Sequence, residues 1–180
     1  ADNYAIDAED VVSEEIQATG TTTLSLTDTD LETTGDANKI TYHVPAMGGL
    51  KAGISYTDNG TNSTTGDQDS IEIGAQYTID AGGASITLGG ATRNTEQVSG
   101  TVDKESSNVG VSITSGNITA KVAQATYEAT NADEEANGVG VKFKISDAMS
   151  LGAYTVKVED STGTTDEEYT NTGAEVTYAI

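Results

Sequence analysis

Residues able to do covalent chemistry are few in this chain and poorly spaced for it. There is one histidine, His43, and no cysteine. His43 stands between Tyr42 and Val44 with no serine or carboxylate in a triad order around it, so no nucleophile–base pair is legible. Gly82-Gly83 and Gly89-Gly90 lack the flanking pattern of a phosphate-cradling loop. Acids gather in two runs, Asp133-Glu134-Glu135 and Asp166-Glu167-Glu168. Carboxylate oxygens suit Ca²⁺, but the spaced ligands of an EF-hand are missing, and solvated loop acids are the plainer reading. The expectation is no catalytic residue, no cofactor and no dedicated metal site. What remains is fixed charge. Lys39, Lys51, Arg93, Lys121, Lys142, Lys144 and Lys157 fall at alternating positions of strand-like segments, where charge facing water can sort ions without a reaction. They can equally be hydrated side chains that set no selectivity.

The elements that place those charges follow a period of two. In residues 39–58, KITYHVPAMGGLKAGISYTD, the residues Ile40, Tyr42 and Val44 alternate with Lys39, Thr41 and His43. After the turn at 45–49, Leu50, Ala52, Ile54 and Tyr56 alternate with Lys51, Gly53 and Ser55. Such alternation gives each strand one apolar and one polar face. The pattern predicts nine strands, and it sets His43 beside Lys51. Ile71, Ile73, Tyr77, Val109, Val111, Ile113, Val139, Val141 and Phe143 fall on apolar faces. In the eighth strand Tyr154, Val156 and Val158 are assigned to the apolar face and Lys157 to the polar one. Short turns such as 81–83, 115–117 and 146–148 alternate with long polar loops at 57–69, 94–106, 128–137 and 159–169.

Composition sharpens the reading. The chain has 180 residues, a formal charge of -21, 20 glycines, one proline, one phenylalanine and no tryptophan. A surplus of acid on this scale excludes nucleic acid as a partner, since phosphate backbones need Lys and Arg. A water-soluble sandwich would want larger core side chains. No apolar run approaches the roughly 18 residues of a spanning helix. Small apolar residues on one strand face suit lipid, which asks for no interlocking core. Short turns, long loops and roughly ten-residue alternating strands mark an antiparallel up-and-down transmembrane β-barrel. Tyr56, Tyr77, Tyr154 and Tyr178 then suit the aromatic girdle.

The stretch 38–58, with later hairpin arms NGVGVKFKI and NTGAEVTYAI, resembles the general diffusion porins of the Gram-negative outer membrane, of the alphaproteobacterial type. The resemblance implies a passive, water-filled channel for small hydrophilic solutes and ions, embedded in outer-membrane lipid, and a homotrimer. It places residues 1–38 where such porins carry a pore-narrowing loop, and residues 39–180 as a meander forming part of the wall. Asp7, Glu9, Asp10, Glu14 and Glu15 would then face a basic wall of Lys39, His43, Lys51, Arg93, Lys121, Lys142 and Lys144. Nine strands against the roughly sixteen of a general porin suggest a partial chain. The alternative is a soluble or cell-surface all-β binding sheet, adhesin-like, whose acidic loops hold ions; it would bury Ile73, Val111 and Val141 under a second layer.

Overall fold

The computed structural model describes residues 38–45, 47–58, 67–97, 103–130, 132–162 and 165–178. They form β1 (Asn38–His43), β2 (Leu50–Asp58), β3 (Asp67–Ala81), β4 (Ala84–Gln97), β5 (Lys104–Ser115), β6 (Ile118–Ala129), β7 (Ala132–Lys144), β8 (Met149–Thr162) and β9 (Thr165–Tyr178). The nine strands make one sheet in sequence order, and every neighbouring pair is antiparallel. This is the expected up-and-down meander. β1 and β9 are its two edges.

Turn chemistry fixes the register. Gly82 and Gly83 have φ of 57° and 102°, the pair of positive angles that a two-residue hairpin turn matched to strand twist requires. Ala81 therefore meets Ala84, and each step back along β3 matches a step forward along β4 as far as Ser70↔Thr95, beyond which the register shifts.

The two faces differ as the alternation predicts. On one face lie Ile54, Ile73, Leu88, Val111, Val122, Val139 and Val141, all exposed. Ile73, Val111 and Val141 are 50%, 36% and 44% exposed, so no second protein layer covers them. On the other face Ser55, Glu72, Arg93, Ser106 and Ser112 are buried. An apolar face turned out and a polar face turned in is the reverse of a water-soluble fold and fits a wall between lipid and a wet interior.

Two expectations fail. The acidic stretches 128–137 and 159–169 are not long loops: β6 and β7 pair up to Ala129↔Ala132, and β8 and β9 up to Thr162↔Thr165. Strands of 12 to 15 residues outrun the roughly 9–11 needed to cross a bilayer. Ladder hydrogen bonds continue beyond the lipid, where apolar–polar alternation is no longer required.

The second failure concerns β8. Val156 pairs with Gly138 and Val158 with Ala136, on the face that carries Gly140 and Lys142. Tyr154, opposite Gly140, lies there too, and so does not join the girdle. Lys157 accordingly lies on the opposite face, 2.5 Å from Glu159 and 3.1 Å from Glu168. The same inversion runs through β6, where Ala123 and Ala125 take the inward side and Gln124 and Thr126 the outward side. Above the lipid the outward side meets water and turns polar, while the inward side packs small apolar groups together. Ala125 and Ala136, cross-strand partners, are each 1% exposed.

Candidate functional site

The polar face is the candidate site, because the register collects the expected basic residues there. Lys39 lies in β1 opposite Thr57, and His43 opposite Gly53. Lys51 lies opposite Gln76. Lys121 lies between Ser112 and Gly140, and Lys142 between Thr119 and Gly152. Lys144 lies opposite Ser150. Directly paired residues of an antiparallel ladder share a face, so these six lie on one side together with Arg93. Lys51 is only a diagonal neighbour of His43; the direct partner is Gly53. Asp7, Glu9, Asp10, Glu14 and Glu15 lie outside the described residues.

Charge is graded along this face. Lys51, Lys142 and Lys144 sit at or near the short-turn ends of β2 and β7. Lys144 Nζ lies 2.8 Å from Asp147 Oδ1 in the turn beyond β7. That hydrogen bond, and then the lysine's charge, holds the Asp147 carboxyl below its ordinary range. Lys51 and Lys142 form no ion pair among the described residues.

Arg93 is different. Its Nε lies 3.4 Å from Glu72 Oε1, and both side chains are almost wholly buried, at 6% and 4%. Ser55 Oγ donates to the other carboxylate oxygen, Glu72 Oε2, at 2.9 Å. One cross-strand row, Ser55–Glu72–Arg93–Ser106, thus carries a buried acid–base pair whose acid is held by the Ser55 hydroxyl, while Arg93 Nε has no hydrogen-bond partner among the described residues. In the next row Thr57 and Ser70 are direct partners, and their hydroxyls are buried with no hydrogen-bond partner among the described residues. Glu72 was not among the residues singled out from the sequence. Its signal lay in the Ala81-Gly82-Gly83-Ala84 hairpin, whose register puts Glu72 against Arg93.

Farther along the strands, β6 to β8 present an apolar panel on this same face: Ala123, Ala125, Ala136, Val156 and Val158, all buried. Tyr154 stacks over Gly173, where a Cβ would stand 2.5 Å from the ring's Cζ. A cleft of about 490 Å³ at the acidic strand ends draws on both faces: Glu128, Asp133, Glu135, Glu159 and Glu168 belong by register to the outward one, and Glu134, Asp160 and Glu167 to the inward one. No cluster of metal-ligating side chains occurs among the described residues. The face offers fixed charges, hydroxyls and small groups.

A family model described as Gram-negative porin matches residues 2–180. No curated protein matches. Among solved structures the anion-selective porin from Comamonas acidovorans is similar, with 16% identity and a TM-score of 0.48. The match covers 79% of this chain, which spans 59% of that porin's length.

Proposed function

The chain belongs to the Gram-negative porins of the outer membrane, and from that premise we propose that it forms part of the wall of a water-filled channel for passive diffusion of small hydrophilic solutes and ions. The apolar face meets lipid and the polar face lines the bore. Further strands on the edges of β1 and β9 complete a barrel of about sixteen, since a bilayer core does not tolerate unpaired edges. The assembly is a homotrimer. The observation that carries this reading is the sidedness of the sheet, with aliphatic residues uncovered on one side and eight basic residues, Lys104 among them, gathered on the other.

Residues 1–38 are the constricting segment. Asp7, Glu9, Asp10, Glu14 and Glu15 face Lys39, His43, Lys51, Lys121, Lys142 and Lys144 across the bore. What supports this is burial: Thr57, Ser70, Ala125 and Ala136 are at most 1% exposed, while among the described residues the substantial contacts of each strand run to its sequence neighbours. Such burial fits a segment of chain laid against the polar face. Ile6, Val11, Val12 and Ile16 match the apolar panel, and the acids match the lysines.

The test is reconstitution of the full-length protein in planar bilayers. Stepwise, voltage-tolerant conductance is expected, and neutralising Glu14 and Glu15 together should move selectivity towards anions. A tight, non-conducting seal from inserted protein would refute the channel.

A further inference from the structure

We propose that Glu72 is a selectivity-determining residue, which withdraws Arg93 from the positive charge of the wall. The inference rests on the channel reading and adds to it a residue of opposite sign. Arg93 sits among basic neighbours by face, and counted alone it would strengthen attraction for anions. The geometry cancels it. Glu72 is its direct cross-strand partner, Nε to Oε1 is 3.4 Å, and Ser55 Oγ fixes the second oxygen at 2.9 Å. Both charged side chains are nearly inaccessible. The direct partners around them are neutral: Ser55 beyond Glu72 and Ser106 beyond Arg93. The adjoining rows bring Thr57, Ser70 and Thr95 on one side, and Gly53, Gly74, Ala91 and Asn108 on the other. Lys104, paired with Thr95, is the nearest other cation along this ladder. A buried pair of opposite charges projects a weak dipole into the bore, whereas either charge alone projects a full unit.

Removing one partner therefore changes selectivity with a defined sign. A unit charge about 10 Å from the permeating ion alters the local concentration of each ion sign by about two-fold even at the dielectric constant of water. The experiment measures reversal potentials of the full-length protein in planar bilayers under a potassium chloride gradient. Glu72→Gln keeps an oxygen for Ser55 and leaves Arg93 uncompensated; it should shift permeability towards chloride by about two-fold or more. Arg93→Gln should shift it towards potassium. Glu72→Asp and the double variant should stay near wild type. A merely structural role would lower the yield of inserted channels without this antisymmetric pair of shifts. If Glu72→Gln fails to insert, the Arg93→Gln shift and the Glu72→Asp rescue carry the test. Single variants that leave the reversal potential unchanged, or move it in the same direction, overturn the inference and leave the channel intact. Wild-type protein without conductance overturns both.

Discussion

Replacing Val141 with arginine asks whether the aliphatic face meets hydrocarbon. Val141 lies midway along the apolar run Val139, Val141, Phe143 and Ile145, with Ala120 and Ala153 as its cross-strand partners. It is 44% exposed, and no carboxylate lies directly opposite it to receive a guanidinium. Asn137, on the same strand and the same face, stands four positions towards the acidic end. At ~3.3 Å per residue the two are ~13 Å apart along the strand. With a tilt near 40°, the difference in depth is ~10 Å. Arg at the midplane of a lipid-facing strand costs about 2–4 kcal/mol, and near the interface about 0–1 kcal/mol. Val141→Arg should therefore lower the folding equilibrium constant about 30- to 700-fold, at 1.4 kcal/mol per factor of ten. Asn137→Arg should do far less, because Glu135, already the acceptor for the Asn137 amide at 2.7 Å, is there to receive the new charge. With no tryptophan in the chain, the assay is urea unfolding in lipid vesicles followed by circular dichroism and by the gel mobility of folded protein. Equal cost at the two positions, or a larger one at Asn137, would refute the assignment of this face to lipid.

Other expectations test single contacts. Gly173→Ala would put a Cβ 2.5 Å from Cζ and Oη of Tyr154, so the ring must move; a loss of about 1–3 kcal/mol is expected in the same unfolding assay, and an unchanged midpoint would show that the ring does not cover Gly173. At the short-turn end, the Asp147 carboxyl is depressed in the folded state by Lys144. Its contribution is full above the ordinary aspartate value of about 4 and is lost as pH falls through the lower folded value. Both groups are exposed, so the effect is small. The stability gap between wild type and Asp147→Asn should be present at neutral pH and close in acid; a gap that persists to low pH would refute the pairing.

How much of this was readable beforehand depends on where each residue sits relative to the lipid. Inside the hydrocarbon, alternation is enforced by solvation on both faces, and the assignments of β2 to β5, β7 and β9 hold. Pairings across short turns were also within reach: a two-residue Gly-Gly turn fixes the register from Ala81↔Ala84 down to Glu72↔Arg93. The lengths of the acidic strands were not. Asp133, Glu134 and Glu135 look like loop residues because acids are poor strand formers, yet each has a direct partner on β8 and another on β6. Antiparallel pairing outweighs a weak local preference once the ladder below is in place.

The inversion on β8 has a sharper cause. Thr155, Val156, Lys157 and Val158 alternate as regularly as any strand here, so periodicity alone is satisfied by either orientation. In the lipid zone the apolar set must point out, and that rule, carried upward, sends Val156 and Val158 to the wrong side. Above the lipid the solvation rule changes sign: water lies outside, and the sheltered side is inside. Continuous pairing with β7 decides the matter, because Phe143↔Leu151 and Val141↔Ala153 fix the outward set below and leave Val156 no choice but to follow Gly138 inward. The level at which polarity reverses is therefore a structural marker of the membrane boundary. On β6, β7 and β8 it falls after Val122, before Val139 and after Ala153, at neighbouring register positions rather than scattered ones. A single interface crossing all three strands is what a planar bilayer imposes, and a soluble sheet offers no reason for that alignment.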